Sequence, residues 1–225
     1  MLELTPTMLF VDKPVRRLWL EGIVVCLMVM GVIKLALMVQ GLIGASMGPI
    51  MLIGVPLVLC TRHGHSWREL GLGWGRPSRD IRYLGLACAA GGGMLLIGLF
   101  VRSITQADIL PVGSVSAENR FGWALSQCTH AAFPEEVFFR GYLVSLLSAI
   151  GKQRWQGKAQ RAAVFAVLLS SLLFALSHVF VWGEPVRALT FFPGLLMGWL
   201  FVKTRSLVMP VAFHTLANWA YVFVV

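Results

Sequence analysis

Charge is scarce in this chain. Only 13% of its 225 residues are Asp, Glu, Lys or Arg, about half the roughly 25% usual in globular proteins. Acids are scarcer than bases, 10 against 19, so the net charge is +9. So little charge argues strongly against a cytosolic enzyme, a disordered regulator and a secreted disulfide scaffold. The four cysteines, Cys26, Cys60, Cys88 and Cys128, stand apart with no C-x-x-C pair. They read as buried thiols. Cys128 lies seven residues before Glu135, on the same helical face, and is a minor candidate for lining a site there. No long linker, low-complexity tract or internal repeat interrupts residues 1–225, which read as one domain.

Apolar residues fill the chain instead, at 57% with a mean hydropathy of +0.77. At about 20 residues per span, the length predicts an all-α polytopic transmembrane bundle of about seven spans. The first follows Arg16 and Arg17 and ends near residue 39. It is too long for a cleaved leader and is read as retained. Lys34 lies within it, either snorkelling or facing the interior. Further spans are expected near 42–60, 83–101, 121–150, 162–181, 188–202 and 207 to the end. The stretch 121–150 exceeds a simple span, so a tilt, a break or a kink at Pro134 is expected.

The basic excess has a place in such a bundle. Lys13, Arg16 and Arg17 precede the first span. Arg62, Arg68, Arg76, Arg79 and Arg82 follow the second, Lys152, Arg154, Lys158 and Arg161 follow the fourth, and Lys203 and Arg205 follow the sixth. Seven spans put these fourteen on one side, against Arg102, Arg120 and Arg187 on the other. Cytoplasmic loops collect Lys and Arg, so the N-terminus is expected inside and the C-terminus outside. The arginines near 62–82 also suit anionic lipid headgroups. His63 and His65 among them have no third ligand nearby and read as solvated surface. Nucleic acid is not expected as a partner.

Ionisable residues at membrane depth are costly and usually functional. Glu135, Glu136 and Arg140 lie within the apolar stretch 121–150. Glu136 and Arg140 are four apart, share a helical face and can pair. Glu135 is rotated about 100° away, free to work as a base while Arg140 holds its neighbour ionised. His178 stands in an almost wholly apolar helix. His214 and Asn218 are four apart on the last span. Together these predict one buried polar site, whose alternative is a structural ion-pair network. Gly194 and Gly198 form a small-xxx-small pair read as close helix packing. Two carboxylates, two imidazoles and an amide suffice for hydrolysis: a Glu/His pair to activate water and donors for an oxyanion. The same residue types leave a bound divalent metal such as zinc open, although no H-E-x-x-H occurs.

These motifs resemble the CPBP family, the CAAX proteases and bacteriocin-processing enzymes also called Abi. Glu135-Glu136-x-x-x-Arg140 is similar to its first motif and Phe174-x-x-x-His178 to its second. The run through Phe191, Gly194, Gly198, Ser206 and Leu207 to His214-x-x-x-Asn218 is similar to its third and fourth. The resemblance covers about residues 121–220, a catalytic core within the single domain. Arg205 departs from it, standing where many relatives have Gly. The resemblance implies an intramembrane endopeptidase in which Glu135 and His178 activate water, Glu136 and Arg140 support the site, and His214 and Asn218 form the oxyanion hole. It implies a glutamate mechanism without a metal or other cofactor. The implied partners are the lipid bilayer and a peptide or membrane-protein substrate, possessing for instance a C-terminal anchoring or sorting tail. The expected location is the plasma (inner) membrane of a prokaryote. The competing functions are a non-catalytic peptide-binding scaffold or bacteriocin immunity protein, and a proton-coupled transporter, which the missing inverted repeat disfavours.

Overall fold

Apolar stretches without internal hydrogen-bond partners in lipid must become helices, and they do so here. The computed structural model describes residues 10, 13–39, 42–73, 75–105 and 120–224. Among these residues there are seven helices and no strand. They are α1 (Val15–Ala36), α2 (Leu42–Arg62), α3 (Pro77–Thr105), α4 (residues 120–154), α5 (Ala159–Trp182), α6 (Phe191–Thr204) and α7 (Val208–Val224). Short 3-10 turns, Trp67–Leu70 and Pro185–Thr190, lead into α3 and α6. Four helices are long and apolar enough to cross a membrane: Val15–Ala36, Asp80–Ile104, Ala159–Trp182 and Pro185–Thr204. The architecture is an all-α membrane bundle.

Helix α4 runs without a break. It contains two segments of wider π turns, Gln127–Ala132 and Val137–Val144. The first ends two residues before Pro134. Proline has no N–H to give the carbonyl four residues back, and its ring crowds that carbonyl. A wider turn there relieves both problems, and such turns recur at functional sites. Within the second segment, Ser170 on α5 donates a hydrogen bond to the Phe139 carbonyl at 2.7 Å.

The core is built around α4, whose residues 136–151 are all buried. Small residues let its neighbours approach. A Cβ on Gly141 would lie 2.8 Å from the Leu70 carbonyl, and one on Gly151 2.9 Å from Ala162 on α5. By contrast, α3 packs mainly against α6 and α7 and leaves Leu86, Leu96, Ile97 and Phe100 exposed.

Contacts sort the connections into two ends. Gln153 donates to the Lys13 carbonyl at 2.8 Å, and Lys13 Nζ lies 2.7 Å from His63 Nε2. The Leu207 N–H donates to the Gly71 carbonyl at 2.9 Å, and Ser206 Oγ donates to the Gly73 carbonyl. The segments before α1, after α2, after α4 and after α6 therefore share one end, with the fourteen basic residues counted above. The end of α1 and start of α2, the end of α3 and start of α4, and the α5–α6 connection lie at the other. Lys34 reaches that other end, where its Nζ donates to the Val181 carbonyl at 2.7 Å and satisfies a terminal carbonyl of α5.

His63 and His65 are half-buried rather than solvated. His63 Nε2 lies 3.2 Å from Glu21 Oε2, and His65 Nδ1 lies 3.3 Å from Glu69 Oε2.

Candidate active site

Glu135 and Glu136 follow the first widened turn of α4, and Arg140 lies in the second. Glu136 and Arg140 are 0% and 1% exposed. A charge so deep needs close partners, and each has them. Arg140 Nη1 donates to Glu136 Oε1 at 2.9 Å, and Nη2 donates to the Gly194 carbonyl at 3.3 Å. The guanidinium carbon also lies 4.5 Å from the centre of the Phe174 ring. His214 Nδ1 is 2.9 Å from the same Glu136 oxygen. An ionised carboxylate only accepts, so Nδ1 carries the proton. Glu136 is thus held by cations or donors from α4 and α7.

Glu135 faces elsewhere. Its Oε2 lies 3.9 Å from His178 Nε2 and 3.8 Å from His214 Nε2. That oxygen is buried and accepts no hydrogen bond from the described residues. His178 Nδ1 lies 2.9 Å from the Phe174 carbonyl. A carbonyl accepts, so Nδ1 donates and the neutral ring presents a bare Nε2 toward Glu135. Gly183 supports this arrangement. Its left-handed φ of 75° closes α5 five residues after His178, with its N–H on the Val179 carbonyl at 2.8 Å.

Three helices therefore bring Glu135, Glu136, Arg140, His178 and His214 into one cluster. Asn218 is not hydrogen-bonded to any of them. Its Nδ2 donates to Gln127 Oε1 at 3.0 Å, and next to it Trp219 Nε1 donates to the Ala124 carbonyl at 3.1 Å. Gln127 escaped sequence reasoning. The available signal was an uncharged amide in an apolar stretch, eight residues before Glu135. Phe174 is part of the same cluster. Its ring centre lies 4.4 Å from that of His178 and 5.9 Å from that of His214, so it joins both histidines to Arg140. Cys128 is half-buried beside Gln127.

Gly194 and Gly198 lie where α6 meets α5. A Cβ on Gly194 would be 3.3 Å from Ser171 Cβ, and one on Gly198 2.9 Å from Val167 Cγ1. Close approach at Gly194 also brings its carbonyl to Arg140, which supplies the guanidinium's second acceptor.

The donors nearest to a metal-holding set are Glu135 Oε2 and the two histidine Nε2 atoms. A tetrahedral zinc with ligands at about 2.0–2.2 Å sets neighbouring donor atoms about 3.4 Å apart. The observed 3.8 and 3.9 Å are wider, so these side chains would have to draw together to hold one. No group of three or more metal-holding side chains occurs among the described residues.

Residues 117–220 match the family model described as "Type II CAAX prenyl endopeptidase Rce1-like". The match spans every residue of the cluster, and its limits lie close to the 121–220 core inferred from the motifs. No curated protein and no solved structure matches the chain. Through residues 117–220, just under half of its length, the chain is therefore similar to the Rce1-like type II CAAX prenyl endopeptidases, a family of proteases consistent with the CPBP motifs.

Proposed function

We propose that this protein is an intramembrane endopeptidase that hydrolyses a peptide bond of a membrane-associated substrate with water activated by Glu135 and His178. One observation carries the proposal. Glu135 Oε2, buried and without a donor among the described residues, confronts the bare Nε2 of His178 at 3.9 Å. Two acceptors at that separation each lie within reach of one water oxygen, which donates a hydrogen to each.

The chemistry then follows from the neighbours. Glu135 takes a proton as the water oxygen bonds to the substrate carbonyl carbon. The carbonyl oxygen gains the displaced electron pair and needs donors. His214 supplies one from Nε2 when its ring carries both protons, since Nδ1–H is committed to Glu136. Asn218 has a second amide hydrogen beyond the one given to Gln127, and this is the other oxyanion donor. Collapse of the intermediate breaks the C–N bond, and Glu135 returns its proton to the departing amine. Glu136 and Arg140 do not touch the reacting atoms; they hold His214 in place. No cofactor enters these steps.

The substrate we favour is a membrane protein processed at a C-terminal anchoring or sorting tail, in the plasma (inner) membrane of a prokaryote. The test compares protein C-termini by mass spectrometry in membranes of cells carrying wild type or Glu135→Gln at equal expression. New C-termini should vanish in the variant, because the amide cannot take a proton while little volume changes. Identical termini, with the variant folded, would sink the peptidase assignment in favour of a peptide-binding scaffold or immunity protein.

A further inference from the structure

Along α5 the cluster lies near one end, and its surroundings are unequal. On α5, His178 lies four residues before the end at Trp182, about 6 Å along the axis, but 19 residues or about 28 Å from the start at Ala159. Ala159 belongs to the basic end. Between the cluster and that end, α4 is a closed wall: residues 136–151 are buried without exception, including Phe138, Phe139, Tyr142, Leu146 and Leu147. The other direction holds polar groups. The side chains of Glu135 and His178 are 20% and 18% exposed, whereas those of Glu136 and Arg140 are 0% and 1%. The polar Gln127–Asn218 pair lies on that side, eight residues or about 12 Å along α4 from Glu135 toward its start. Beyond His178 stands the Glu184–Arg187 ion pair at 2.7 Å in the α5–α6 connection.

Charge tells which side this is. Fourteen Lys and Arg residues gather at the closed end, while Arg102, Arg120, Arg187 and Lys34 are all that the open half carries. Positive charge stays cytoplasmic, so the closed end faces the cytoplasm. Continuity of α4 from residue 120 to 154 places its two ends on opposite sides.

We infer that the active site opens to the extracytoplasmic face, and that its substrate is a membrane-anchored protein cut at the outer end of its membrane segment. This rests on the peptidase reading above for its chemistry, but not for its sidedness. Hydrolysis there adds OH to the carbonyl carbon and H to the amine, and it separates an external domain from its anchoring helix. A C-terminal tail on the cytoplasmic surface would meet the closed wall and the basic loops instead.

Sidedness is read by thiol labelling in whole cells expressing the full chain with Cys26, Cys60, Cys88 and Cys128 replaced by alanine. A membrane-impermeant methanethiosulfonate is applied to Glu135→Cys, Ala188→Cys and Lys158→Cys before and after permeabilisation. Glu135→Cys and Ala188→Cys should react in intact cells as fast as after permeabilisation, and Lys158→Cys only afterwards. Labelling of Lys158→Cys from outside, or of Glu135→Cys only from inside, would overturn the inference. An epitope inserted between Val186 and Arg187, with the native cysteines kept, gives a second readout: antibody should reach it without permeabilisation, and failure to do so refutes the assignment. Neither readout requires catalysis. Outside labelling with no change of C-termini in Glu135→Gln would therefore defeat the peptidase reading and leave the sidedness standing.

Discussion

Replacing Arg140 with methionine tests how the cluster is held. Methionine keeps most of the volume and the contact with Phe174, but it deletes the bonds at 2.9 Å to Glu136 and 3.3 Å to the Gly194 carbonyl. Glu136 is fully buried, so its charge is stranded with His214 alone. Breaking a buried pair from one side costs about 3–5 kcal/mol. That is roughly a hundred- to a few-thousand-fold in the folded-to-unfolded ratio. Adding Glu136→Gln removes the stranded charge, while the amide oxygen still accepts from His214 Nδ1. The double variant should therefore recover about 1–3 kcal/mol relative to Arg140→Met. Reversible unfolding of the purified protein in mixed detergent micelles measures both. A single variant within about 1 kcal/mol of wild type, or a double variant no more stable than the single, would refute the claim that Arg140 compensates a buried carboxylate.

Chelation with EDTA or phenanthroline should leave cleavage unchanged in a C-terminus assay; loss of activity that zinc restores would replace the water-activation scheme given above. Arg205 holds the left-handed turn after α6 at φ 56°, a conformation that costs a side-chain-bearing residue about 1–2 kcal/mol; Arg205→Gly should raise stability by about 1 kcal/mol, read as a shift in the unfolding midpoint, and a loss would mean its buried stem matters more. Lys152, in the last turn of α4 at the basic end, is pushed down to about 8 by burial and by Arg205 beside it. Between that value and its ordinary 10.5 the unfolded chain binds the extra proton, so wild-type stability should rise with pH across this window; Lys152→Met should flatten the rise and exceed wild type at pH 7, and an unchanged slope would count against the burial of this charge.

Much of the site is local and was readable for that reason. Spacing along one helix sets which side chains share a face, so Glu136 and Arg140 at i and i+4 meet, and Glu135 turns away, whatever surrounds them. Apolar content and the positions of Lys and Arg likewise mark membrane helices and divide the loops into two groups, because the cost of lipid burial depends on composition. His63 and His65 show the limit of this reasoning: their loop looks solvated in one dimension, yet Glu21 and Glu69 come to meet them.

Distances between helices have no such local cause. Whether Glu135 meets His178 depends on how closely α5 lies against α4, which Ser170, Gly151 and Ala162 arrange through contacts far apart in the chain. Asn218 shares a face with His214, but its amide goes to Gln127 because α7 leans on the first widened turn of α4, a turn caused by Pro134 and invisible in any regular helical period. Composition and periodicity thus account for the membrane bundle, the basic end and the polar residues to watch. Packing alone decided which carboxylate faces the histidines and which side of the bundle leaves that carboxylate within reach, since both are properties of surfaces that exist only once the helices have met.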